Sequence, residues 1–320
     1  MRVFITGGTG HSGSHIIPEL VAAGHRVTGL ARSDASAAAL AALGADVRRG
    51  DLADLDGLRA AAAESDGVIH VAGRGDLLPT GGIDAVTDAE LATVRAFGDA
   101  LAGTDKPLVV AGSIASPTLP APAEVTRPAT RPATEDDPAL PGGPDFARTM
   151  RVRNVVETTV IGLAEQGVRS AIVRLPPIAH STTDSAGFLV QLIALAKRSG
   201  AVGYPGGGTN RWPAVHMQDV AALFRLVLEK GEAGRYWHAV HDEGIPVRDI
   251  AEGIAARLGL PAVSIPADVL MLPGYFGFLA SLVTLDLPAS NEVTRTLLGW
   301  EPTQARLLDD LDNGHYFAAV

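Results

Sequence analysis

The sequence predicts an α/β fold, a doubly wound parallel sheet joined to a smaller, mostly helical C-terminal region. Three observations point to it. Through residue 175, short β-branched runs alternate with longer alanine-rich amphipathic runs, the pattern of β-α-β crossovers that cover a sheet on both faces. A glycine-rich turn stands at the first strand–helix junction. Beyond Leu175 the strand signal thins and helical patterns dominate.

The strands are expected at Arg2–Thr6, Arg26–Ala31, Asp46–Arg49, Gly67–Val71, Pro107–Ala111 and Ser170–Leu175. Most are short apolar or β-branched runs bounded by turn residues. Helices are expected between them at Ser12–Ala23, Ala35–Leu43, Leu55–Glu64, Asp88–Leu101 and Phe146–Gln166. From Ser113 to Pro144 eight prolines (117, 120, 122, 128, 132, 138, 141 and 144) prevent either pattern from persisting. So long a loop directly after a sheet strand suggests a lid over a ligand site. The chain therefore divides into a dinucleotide-binding core at 1–175, with the lid at 113–144, and a substrate-binding region at 176–320 that is partly interleaved with it.

Bulk properties exclude several classes. With 320 residues, 47% apolar and 19% charged, the chain can bury a sizeable core and is not disordered by composition. A net charge of −10 argues against a nucleic-acid or anionic-membrane surface. Having no cysteine, it can form no disulfide and no thiolate metal site, which fits a reducing cytoplasm. Met1 leads directly into Arg2-Val3-Phe4-Ile5, so no secretory leader is expected. The most apolar stretch, 269–287, is broken by Pro273, Gly274 and Gly277 and reads as a buried or pocket-lining helix pair, not a membrane span. Tyr275, Phe276 and Phe278 within it are candidate pocket residues.

Thr6-Gly7-Gly8-Thr9-Gly10-His11-Ser12-Gly13 joins the first strand to the first helix. Glycines there let bare backbone approach a phosphate, and the free N–H groups at the helix start attract the anion. The second strand ends Ala31-Arg32-Ser33-Asp34. An acidic residue at that strand end would hold the ribose hydroxyls of NAD; Arg32 and Ser33 instead suit the 2′-phosphate of NADP(H), with Asp34 free to cap the next helix. NADP(H) is the expected cofactor.

The spacing Gly7-x-x-Gly10-x-x-Gly13, together with Gly50-Asp51-Leu52, His70-Val71-Ala72-Gly73, Arg174-Leu175-Pro176-Pro177 and Trp212-Pro213-Ala214-Val215-His216, resembles the extended short-chain dehydrogenase/reductase family over nearly the whole chain. The resemblance implies a Rossmann-type sheet in which Gly7, Thr9, Gly10 and Gly13 meet the pyrophosphate, while His11 and Ser12 could donate to its oxygens or face solvent beside them. It further implies that Asp51 and Leu52 flank the adenine, Ala72 and Gly73 line the cofactor, and Pro176 to Ile178 border the nicotinamide. His11 and Ser12 replace two residues that are usually apolar in the family.

By the same resemblance Ser113 stands where a hydroxyl polarises the substrate carbonyl. The family's tyrosine and lysine positions are held by Thr149 and Arg153, anchored on Glu157, and no tyrosine occurs between Met1 and Val202. A threonine hydroxyl is too weak an acid to replace a tuned phenol, so the proton must come from elsewhere. A water held by Ser113 and Thr149, the imidazole of His180, or a phenol on the substrate could each supply it. Arg211, Trp212 and His216 lie in the segment that approaches substrate in relatives, and His180 joins them as a substrate-side candidate. The expected activity is NADPH-dependent reduction of a hydroxylated aromatic or polycyclic ketone, as in tyrosine-lacking polyketide ketoreductases. A cofactor-binding sensor without chemistry and a nucleotide-sugar epimerase or dehydratase stand as alternatives. No metal is expected, and the chain is expected to be a monomer or a homodimer.

Overall fold

Val3, Phe4 and Ile5 of the first strand are all but inaccessible to solvent, because helices cover the sheet on both sides. The computed structural model describes residues 1–117, 131–139, 148–266 and 280–317, with backbone alone at 148–153 and 280–281. Seven strands form one parallel sheet. They are β1 (Arg2–Thr6), β2 (Arg26–Ala31), β3 (Asp46–Arg49), β4 (Gly67–His70), β5 (Pro107–Ser113), β6 (Arg169–Leu175) and β10 (Arg235–His238), in the order β10-β6-β5-β4-β1-β2-β3. Helices α1 (His11–Ala22) and α7 (Met217–Lys230) pack together on one face, with α2 (Asp34–Ala42) beside them. On the other lie α3 (Leu55–Glu64), α4 (Leu78–Leu101) and α5 (Arg148–Gly162). The order reverses between β1 and β4, and open α/β sheets bind ligands at such a point.

The C-terminal part is richer in strands than expected. Strands β7 (Ile178–His180), β9 (Arg211–His216) and β11 (Asp242–Pro246) form a small three-stranded sheet. A parallel pair joins β8 (Val202–Pro205) to β12 (Ala262–Ile265). These runs are three to six residues long and several contain proline or glycine, so no period of two could be read from them. The helices of this part are α6 (Phe188–Ser199), α8 (Val247–Leu258), α9 (Ala280–Val283), α10 (Glu292–Leu298) and α11 (Leu307–Asp312). All but α10 share an apolar core that includes Ile178, Trp212, Ile250, Ile254 and Leu311, whereas Leu298 of α10 joins the core beside the large sheet.

Two other expectations change. Helix α4 begins at Leu78, ten residues before the expected Asp88, and runs through Gly82, which takes a non-helical φ of 65°. The Pro79 and Gly81-Gly82 breakers mark a kink, not a start. Ser33, not Asp34, caps α2: its side chain accepts from Ser36 N while Ser36 returns the bond. Asp34 instead pairs with Arg49 across the neighbouring strand.

Of the expected lid, the described residues 131–139 are fastened to the body. Ala133 N donates to Pro288 O at 2.8 Å, and Ser290 N donates to Ala133 O at 2.8 Å. Glu135 Oε1 accepts from both the backbone and the hydroxyl of Thr294. Residues 118–130 and 140–144 of the proline-rich loop, and Tyr275, Phe276 and Phe278, lie outside the described residues.

Candidate active site

The turn from β1 into α1 is built on close backbone contacts. Gly7 has φ of 79°, and a Cβ there would lie 2.6 Å from Ala72 N on the next strand. A Cβ on Gly13 would lie 2.3 Å from Gly7 O. Gly10 N donates to Gly7 O at 3.0 Å, and Gly10 is an N-cap with no side-chain capping bond, so no side chain competes for the first-turn N–H groups. The glycines thus compress the loop and leave a helix start to meet an anion.

This turn forms the floor of a cavity of about 600 Å³ at the carboxyl ends of the strands. Thr6, Gly7, Thr9 and Gly10 line one side. Leu30, Arg32, Ser33 and Ser36 line the β2 side, and Leu52 with Val71, Ala72 and Gly73 closes it. An NAD(P)-type dinucleotide fits this cradle. No carboxylate is among the described lining residues. Arg32 is 62% exposed, with Asp76 3.9 Å away. That carboxylate is held mainly by Arg74, at 3.1 and 3.2 Å.

Other expected cofactor residues are not among those that line this cavity. Asp51 Oδ1 accepts from Ala53 N at 2.8 Å and shapes the turn that presents Leu52. Pro176 is buried after β6, and Ile178 points into the C-terminal core. His11 turns away from the loop, its Nε2 2.8 Å from Ser181 Oγ. Burial lowers the pKa of His11, as do His15 and His180, against the opposing charge of Asp184. Ser12 is half-buried in the first turn of α1.

Ser113 closes β5. Its backbone N–H donates to Glu157 Oε1 at 2.8 Å, and its Oγ accepts from Ala115 N at 3.2 Å. The hydroxyl keeps one hydrogen to donate, and among the described residues no acceptor takes it. Glu157 is the residue that sequence reasoning used only as an anchor. It is fully buried, takes the hydroxyl of Ser116 at 2.7 Å and is paired with Arg174 at 3.0 Å. Arg174 lies 3.7 Å over the Tyr236 ring and donates to Asp137 O at 2.7 Å. An arginine inside an otherwise apolar strand was the available signal for this cluster. Thr149 and Arg153 fall on α5, two turns and one turn before Glu157, and their side chains lie outside the described residues.

The substrate-side candidates divide. Arg211 is neutralised by Asp286 through two contacts at 2.9 and 3.1 Å. Trp212 is buried, donates Nε1–H to Leu285 O at 3.2 Å, and forms a wall of a second, apolar cavity of about 500 Å³ in the C-terminal part. His180 is not a loop residue: it ends β7, is fully buried, and lies 2.8 Å from Asp310 through Nδ1. His216 pairs with it in register and caps α7, accepting from Gln218 N at 3.2 Å. Burial and then the neighbouring His180 lower the pKa of His216.

No helix among the described residues is long and apolar enough to cross a membrane. Comparison with known proteins agrees with the cradle. The model of the NAD dependent epimerase/dehydratase family matches residues 3–239. A Schizosaccharomyces pombe protein, described as uncharacterized, is 39% identical over 317 residues, covering 99% of this chain and 100% of its own. The 3-diazoavenalumate denitrifying reductase of a Streptomyces species is 29% identical over 325 residues, covering 97% and 99%. The dTDP-glucose 4,6-dehydratase of Streptomyces venezuelae, solved with NAD and TYD bound, superposes with a TM-score of 0.74. At 19% identity over 98% of this chain and 96% of that one, the likeness concerns the fold alone.

Proposed function

This chain belongs to the NAD dependent epimerase/dehydratase family, and within it we propose an NADPH-dependent reductase of a ketone carried on a hydroxylated aromatic or polycyclic skeleton. The observation that carries the reading is the β2 rim of the dinucleotide cavity, where Arg32, Ser33 and Ser36 line the wall and, among the described residues, no carboxylate does. A planar guanidinium beside two hydroxyls suits a phosphate monoester, and an acid at that rim would repel it.

The chain's own groups support reduction in three ways. Gly7 and Gly13 bring backbone to the pyrophosphate, and the start of α1 offsets its charge. Ser113 offers its hydroxyl to a carbonyl oxygen, while the buried Glu157 fixes the Ser113 backbone. A bound nicotinamide would supply hydride. Without a tyrosine in the first 202 residues, a phenol on the substrate beside the ketone is the proton source this reading favours. The same missing tyrosine weighs against a sugar epimerase or dehydratase, and the Ser113 hydroxyl, whose hydrogen no described residue accepts, weighs against a sensor without chemistry.

Titrating the protein with NADPH and NADH tests the cofactor, and incubation with a panel of quinonoid and polycyclic ketones tests the reaction. NADPH should bind about 10–100-fold more tightly than NADH, the worth of one or two charge-assisted hydrogen bonds. The preference should vanish in Arg32→Ser. Equal binding of both cofactors, or no consumption of NADPH with any ketone, would overturn the reading.

A further inference from the structure

Five of the nine histidines gather where β7, the start of α7 and α11 meet the first turn of α1. His11 and His15 stack edge to face on α1, and His180 and His216 do so at the ends of β7 and β9, with ring centroids 5.3 Å apart. Asp310 of α11 approaches His180 at 2.8 Å and His315 at 3.9 Å. The Nδ1–Asp310 contact is where an ion can enter, because a cation that takes the place of the proton between them is bonded from both sides.

Ligand atoms of His180, His216 and Asp310 all lie within 4.8 Å of one another. In a tetrahedral zinc site, with bonds of about 2.0–2.1 Å, ligand atoms stand roughly 3.3 Å apart, so modest side-chain rotation would close this triad. Two imidazoles and one carboxylate, with no thiolate in the chain, suit a borderline cation of the zinc type better than calcium or magnesium. We propose that His180, His216 and Asp310 bind one divalent transition-metal ion of the zinc class, with a fourth position left to water. Binding releases the proton that His180 shares with Asp310 and gives up the long 3.2 Å cap from Gln218 N to His216.

The ion acts as a clamp. It ties α11 to the β7–β9 pair and so fixes the neighbouring Ser181, which bonds His11 of the phosphate loop at 2.8 Å and donates its backbone N–H to the Tyr316 hydroxyl at 3.0 Å. Nothing in this proposal depends on the reduction reading, since its readouts are metal content and melting.

Untagged protein, stripped with a chelator and titrated with zinc by calorimetry, gives the test, with cobalt substitution reporting geometry by its visible spectrum. One equivalent should bind per chain, and zinc at about 100 times its Kd should raise the melting temperature. His216→Gln should weaken zinc binding by at least about 100-fold, more than an outer-shell partner is worth, while the metal-free protein still melts cooperatively. Asp310→Asn should behave alike. Failure to bind one equivalent, or unchanged affinity in both variants, would overturn the site. A tetrahedral cobalt spectrum lost in His216→Gln would support it.

Discussion

Arg174 Nε donates to Glu157 Oε2 at 3.0 Å with both side chains fully buried, which joins strand β6 to helix α5 behind Ser113. Glu157 also receives the Ser113 backbone and the Ser116 hydroxyl, so its charge is shared by three donors. Arg174→Met would leave that carboxylate buried without its cation. The variant should lose roughly 3–5 kcal/mol in urea unfolding, and Arg174→Met with Glu157→Met should recover part of it. A loss under about 1 kcal/mol would show the pair to be dispensable.

The three loop glycines should not be equivalent. Added Cβ atoms would meet backbone at 2.3 Å on Gly13, at 2.6 Å on Gly7, and at only 3.3 Å on Gly10. Gly7 also requires φ of 79°. Alanine at 13 or 7 should abolish NADPH binding in a fluorescence titration, whereas Gly10→Ala should weaken it without abolishing it.

Ser113→Ala removes the hydroxyl while leaving the backbone bond to Glu157 in place. Turnover of any ketone substrate should fall by about 100-fold or more, the usual worth of one donor to a developing oxyanion. The Kd for NADPH should hardly change. A parallel loss of cofactor affinity would mean that Ser113 is a binding residue instead.

His238 carries a pH signature. Burial first, and then the Arg174 charge, lowers its pKa from 6.5 to about 3. The folded protein therefore refuses a proton that the unfolded chain accepts. This contribution to stability is complete above pH 6.5 and is lost as pH falls from there towards 3. The slope is about 1.4 kcal/mol per pH unit for one proton. Urea unfolding across this window should show His238→Gln declining less steeply than the parent by about one proton.

Strands β1, β4, β5 and β6 were legible because they are buried almost throughout and read as continuous apolar or β-branched runs. The edge strand β3 is largely exposed and carries a weaker pattern. The cofactor cleft was legible for a related reason. Gly7, Thr9 and Gly10, Arg32 and Ser33, Leu52, Ala72 and Gly73 all sit on turns directly after sheet strands, and they line one cavity. What sequence reasoning missed depends on partners remote along the chain. His180 meets Asp310 across 130 residues, and His11 meets Ser181 across 170, distances over which no periodic pattern operates. Trp212 and Arg211 were read as substrate-side residues because the groups that claim them, Leu285 and Asp286, lie more than seventy residues further along the chain.

The seventh strand, β10, arrives some sixty residues after β6 and still lies beside it, while α7 covers the face of α1 that carries Ile16, Ile17 and Leu20. A ribosome that has released only the first 175 residues has therefore produced a sheet with a bare edge and a helix with an uncovered oily side. Such a nascent fragment would be a target for chaperones or aggregation. The dinucleotide cradle thus depends for its solubility on a part of the chain that does not line it.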